Sequence, residues 1–164
     1  MVKRSEHAVA DIVNPDSSEQ IIALAALFEG KFSIDWLVEL TQSKVSKVIG
    51  VLEEAVKKKE MIHRGAGIYY FDCKSGLADL RPFFNDDARR KMHDRIATIL
   101  IRDLPEKGEK ALLISRHLLH TTNDLERCKY LSRAGDEYRA TFNTQEAFQC
   151  YTKVLEDLSV LSGD

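Results

Sequence analysis

The chain has 164 residues, of which 44% are hydrophobic and 30% charged, and a formal net charge of −2. That length suits one ordinary domain or two small ones. The composition excludes a disordered chain, a membrane protein and a generally basic nucleic-acid coat.

Residues 1–16 are polar and end in Asn14-Pro15-Asp16, as a tail or linker would. Ser17 with Gln20 fits a capping box, and Ile21, Leu24, Ala25, Leu27 and Phe28 continue a helix that Gly30 is expected to end. Ser33 is the expected cap of a second helix, Ile34 to Leu40, with Trp36, Leu37 and Leu40 on one face. Ser43 is the expected cap of a third, from Lys44 to about Lys58. Its apolar residues Val45, Val48, Ile49, Leu52 and Val56 step by three and four.

The period then shortens. Met61-Ile62-His63 and Ile68-Tyr69-Tyr70-Phe71 are β-prone, and Arg64-Gly65-Ala66-Gly67 between them predicts a hairpin turn. Three helices followed by a hairpin is the order of a winged helix-turn-helix. Beyond it the pattern is helical again. A short helix is predicted over 75–84, and Asn85 opens a longer one with Ala88, Met92, Ile96, Ile99 and Leu100 inward. Leu104 to Gly108 is a connector, and Glu109 to Leu119 is a further helix. Asn123 with Glu126 fits a second capping box, for a helix to about Phe142, and Gln145 to Leu158 is the last. Gly135, Tyr138, Ala147 and Tyr151 in that final pair have tetratricopeptide-type spacing. The expected fold is mainly α: a tail over 1–16, a winged helix over 17–72 and a tetratricopeptide-like bundle over 73–164.

Charge is uneven. Residues 44–64 carry 6 basic and 3 acidic side chains, whereas residues 1–43 carry 3 and 7. Lys44, Lys47, Lys57, Lys58, Lys59 and Arg64 make that basic island. As a DNA reader the third helix would use Lys44 and Lys47, with Arg64 on the wing. Val45, Val48, Ile49 and Gly50 offer few base-reading groups, however, and lysines at a helix C-terminus complement its dipole. His117 and His120 stand three apart, and His93 lies on another helix. Neither a Cys pair nor a carboxylate motif joins them, so structural histidines are expected and no metal or cofactor. Cys73, Cys128 and Cys150 lack any CxxC pairing, which suits free thiols in a reducing cytoplasm. No Ser/His/Asp or paired-carboxylate arrangement identifies a catalytic site.

Several runs together carry a family likeness. They are Leu27-Phe28-Glu29-Gly30-Lys31-Phe32, Ile34-Asp35-Trp36-Leu37, Tyr69-Tyr70-Phe71-Asp72-Cys73, Arg89-Arg90-Lys91-Met92-His93-Asp94-Arg95-Ile96-Ala97, and Ala111 with His117. In this order, over about residues 20–158, they resemble the region after the nucleotidase domain of bacterial STAND-type signalling ATPases. That group includes maltose-regulator-like proteins and related cyclase and kinase fusions. Cys73 stands where the family often has His, and no Gly-x-x-x-x-Gly-Lys-Ser/Thr phosphate loop occurs. The resemblance therefore implies a piece of a longer protein, or a relative that lacks the ATPase.

It also implies a non-enzymatic regulatory or scaffolding module in the bacterial cytoplasm. Its partners would be protein domains: a neighbouring nucleotidase or output domain and further helical repeats. Trp36 and the lysine-rich helix end would dock there. The alternative is a DNA-binding winged-helix regulator using residues 43–71. Neither reading involves a membrane.

Overall fold

A computed structural model describes residues 17–71, 84–106, 109–122 and 125–161. The described chain is mainly helical, with seven helices and one three-stranded antiparallel sheet. It divides into two compact units that meet inside one helix, between Met92 and His93. The expected boundary at 72–73, the predicted helix over 75–84 up to residue 83, and Cys73 all lie outside the described residues.

The first unit begins with α1 (Ser18–Ala26), whose N-terminus is closed by the expected capping box. Gln20 N–H donates to Ser17 Oγ at 3.2 Å, and Ser17 N–H donates to Gln20 Oε1 at 3.3 Å. Two orphan donors of the first turn are thereby satisfied. The helix stops earlier than expected, and Glu29, with φ of 54°, takes the left-handed position rather than Gly30. A short strand that the sequence pattern did not predict follows, β1 (Lys31–Ser33). Ser33 caps α2 (Ile34–Thr41), as expected, by accepting from Asp35 N–H.

α3 (Val45–Lys57) departs from expectation at its start. Lys44 is the N-cap and makes no side-chain cap bond. Ser43 is buried, and its N–H donates to Thr41 Oγ1. The turn out of α2 runs through Gln42 at φ 52°, and the cap position falls one residue past Ser43, on Lys44.

β2 (Met61–His63) and β3 (Ile68–Phe71) form the predicted hairpin. β1 adds to its open edge, giving the order β1-β3-β2. α1, α2 and α3 pack on one another. Their apolar faces, with the sheet, bury Ile21, Leu24, Phe28, Phe32, Leu37, Leu40, Val48, Leu52, Met61 and Tyr69. Side chains of this kind contribute about 1.5–3 kcal/mol each when fully withdrawn from water, and they supply most of what holds the unit together.

α4 (Asp86–Asp103) opens at Asn85, whose Oδ1 accepts from Ala88 N–H at 2.8 Å. α5 (Lys110–Leu118), α6 (Leu125–Ala140) and α7 (Thr144–Leu161) complete the second unit. Asn123, the expected cap of α6, is outside the described residues. Within this unit α5 packs on α6 and α6 on α7. Ile96, Leu100, Ile114, Leu118, Leu131, Ala134 and Cys150 are buried. Arg127 of α6 pairs with Asp94 and donates to Thr98 Oγ1 of α4.

α6 ends with Phe142 at φ 63°, while Asn143 N–H reaches back to Tyr138 O at 2.9 Å. That six-to-one bond closes the helix and turns the chain into α7.

Candidate functional site

The sequence candidates fall into two places in the first unit. Lys44 and Lys47 lie at the start of α3, and Lys57, Lys58 and Lys59 lie at its end. All are exposed. A 13-residue helix is about 20 Å long, so the lysines form two groups rather than one patch. Between them Glu53 and Glu54 are also exposed. An open groove of about 700 Å³ runs between α1 and α3, and its lining includes Glu19, Lys47, Glu54, Lys58 and Glu60. Both signs of charge therefore face it, which does not select for a polyanion. Arg64 in the hairpin donates to Tyr70 Oη and lies 5.3 Å from that ring's centre. Its planar head is thus held against the sheet.

Trp36 is half-buried and stacks on Phe28, with ring centres 6.1 Å apart. The stack continues from Phe28 to Phe32, from Phe32 to Tyr69 and from Tyr69 to His63. Part of Trp36 therefore completes the core, and only the remaining part faces outward.

The second unit carries two arrangements that the sequence only hinted at. On α7, Phe148 is 70% exposed and Leu155 67%, with Leu158 also exposed. Steps of seven and three place these on one helix face. Ala147 and Cys150 of α7 are buried, and Tyr151 beside them is seated on α6. A Cβ added to Gly135 would stand 2.7 Å from Tyr151 Cε1, so only glycine lets that ring lie against the α6 backbone. Tyr151 Oη donates to Asp136 Oδ1 at 2.7 Å, which holds its phenol above the usual range. The period-seven signal of Phe148 and Leu155 was present in the sequence, but it reads equally as a buried seam.

The second arrangement joins the three histidines. His93 of α4 and His117 of α5 are 2% and 1% exposed, and their Nδ1 atoms lie 2.9 Å apart. His120, just past α5, stacks on His93 with ring centres 4.4 Å apart. The spacing of His117 and His120 was legible in the sequence; the arrival of His93 required the fold. Burial, with the fields of His93, His120 and Arg116 adding to it, pushes the His117 imidazole down to about 3. Among the described residues, no group of three or more His, Cys, Asp or Glu is arranged to hold a metal ion.

Cys128 and Cys150 are buried thiols. Burial pushes the Cys150 thiol up, partly offset by its hydrogen bond with Ser115, which disfavours the reactive thiolate. No described helix is long and apolar enough to cross a membrane. Compared with protein-family models, curated proteins and solved structures, the chain finds no match in any of the three.

Proposed function

We propose that this chain is a non-catalytic regulatory or scaffolding module that works through protein–protein contacts. The observation that carries the reading is the exposed apolar face of α7, formed by Phe148, Leu155 and Leu158. Exposed apolar residues gathered on one helix face are a common mark of a protein-binding surface. The Gly135–Tyr151 packing supports reading α6 and α7 as one tetratricopeptide-like pair. Such a pair presents its outer face to the next helix of an array or to a partner domain. In the first unit, the element order α1-β1-α2-α3-β2-β3 and the sheet order β1-β3-β2 support the winged-helix reading. On the family resemblance, that part serves as a packing module in a bacterial signalling protein.

The test is quantitative capture of partners from cells by the full chain and by a Phe148→Asp/Leu155→Asp variant with unchanged helix content. The expected result is specific protein partners retained by the parent chain and lost at least tenfold by the variant. Equal capture by both would overturn the reading.

A second reading, a DNA-binding regulator using residues 43–71, is favoured by the exposure of all six basic side chains. It requires a gel shift that weakens steeply with salt and is abolished by Lys44→Glu and Lys47→Glu.

A further inference from the structure

We propose that the exposed face of α7 takes a second copy of this chain, in an antiparallel two-fold pair that sets Phe148 of each copy against Leu155 of the other. The pairing deepens the docking reading of α7 and stands on it.

The face carries no charge. Phe148, Thr152, Leu155 and Ser159 step by four, three and four along α7 and so share one side of the helix. Lys153 and Asp157 of α7 pair with each other at 3.1 Å and are largely withdrawn from water. Glu146 stands two positions before Phe148, which turns it to another side. Nothing on the face selects a charged partner. A net charge of −2 over 164 residues repels a second copy only weakly.

The large side chains are also placed symmetrically. The midpoint between Phe148 and Leu155 falls at Tyr151 and half-buried Thr152. A two-fold axis there brings each large residue onto the other kind, about 5 Å along the helix to either side. The smaller Thr152 at the centre lets the two helices approach. Charge sets the sense of the pair. Glu156, beside Leu155, is exposed at the rim of the face. A parallel pair would hold both Glu156 carboxylates at one level. The antiparallel pair separates them by about nine residues along the axis, roughly 13 Å and beyond a Debye length at physiological salt. It also sets the two helix dipoles in opposition.

The platform is formed in advance. Tyr151 lies against Gly135 and bonds to Asp136, which fixes α7 on α6 and leaves little to order on pairing. α7 has 18 residues, about 27 Å of helix. One face of that length makes a small interface, so the pair is reversible, with a Kd of about 10–100 μM.

The test is sedimentation of the purified full chain over about 1–500 μM, where a monomer–dimer equilibrium is expected. Phe148→Lys and Leu155→Asp chains with unchanged helix content should each dimerise about tenfold more weakly, or worse. Their equimolar mixture should return to within about fivefold of the parent affinity. Antiparallel pairing sets the introduced lysine against the introduced aspartate and restores one Phe148–Leu155 contact, whereas a parallel pair gains nothing from mixing. A monomeric parent, single variants that dimerise like the parent, or a mixture no better than its components would overturn the proposal. A monomeric parent whose cell partners are still lost in the Phe148→Asp/Leu155→Asp variant overturns the second copy and leaves the docking reading standing. A monomeric parent with equal capture ends both. Should the charged variants lose helix, Thr152→Cys under mild oxidation decides. A disulfide-linked dimer forming faster than with Glu146→Cys supports the pair, and equal rates refute it.

Discussion

Lys110 shows how one side chain can be indispensable to an element it does not belong to. It is 4% exposed, and its Nζ donates to Ile101 O at 2.8 Å, Leu104 O at 2.9 Å and Glu106 Oε1 at 2.6 Å. Two of these acceptors are carbonyls at the end of α4 that no helical N–H can reach. Replacing Lys110 with Met keeps the aliphatic stem and strips the donors. The orphaned carbonyls then cost about 1–3 kcal/mol, less what is regained by not burying a cation. We expect Lys110→Met to lower stability by about 1–2 kcal/mol in urea denaturation. Glu106→Gln should leave the midpoint nearly unchanged, because that carboxyl faces water and the amide still accepts. None of this was legible in the sequence. A lysine at the start of a helix reads as solvent-facing, and its acceptors lie four to nine residues upstream across a connector. The histidines are the intermediate case, with two of the three placed by spacing and the third by packing.

Elements were legible where their signals are local. The Ser17–Gln20 box, the Ser33 cap and the 61–71 hairpin follow from neighbouring side chains, and the structure reproduces them. β1 was missed because three residues, Lys31-Phe32-Ser33, carry no period. They become a strand only through pairing with Tyr70, Tyr69 and Ile68. The same hairpin supplies a test of turn chemistry. Gly65 and Gly67 have φ of 83° and 71°. A Cβ at Gly65 meets open space, whereas one at Gly67 would lie 2.9 Å from Ile34 Cγ2 at the start of α2. Gly67 O also accepts from Ile34 N–H at 2.8 Å, so this turn cannot move without disturbing that helix. Both Gly→Ala changes incur the left-handed penalty of about 1 kcal/mol. Overpacking adds about 1–3 kcal/mol at Gly67 alone. Thermal melts should therefore rank the parent chain above Gly65→Ala and Gly65→Ala above Gly67→Ala. Equal losses would mean that Ile34 yields freely.

At the scale of the whole molecule, the near balance of charge and the apolar face of α7 act together. The sequence pI is about 6.2, so long-range repulsion between copies is weakest just below neutral pH. Phe148 and Leu155 remain exposed there, and apolar surface with little net charge promotes association. Which apolar residues stay outside could not be read from periodicity. A helix with two apolar stripes looks the same in sequence whether one or both are covered, and Phe148 and Leu155 sit at spacings that a buried seam would also use. Light scattering of the isolated chain should peak near pH 6.2 and fall on either side. A Phe148→Ser/Leu155→Ser variant changes no charge, so its pI is retained, and its scattering maximum should disappear while its melting midpoint stays put. Exposed positions away from caps and cores shift stability by no more than about 0.5 kcal/mol. His117→Gln should leave the maximum in place, since it alters the buried histidine pair and not this surface. A maximum that survives in the serine variant would place the association elsewhere and remove the principal support for α7 as the docking face.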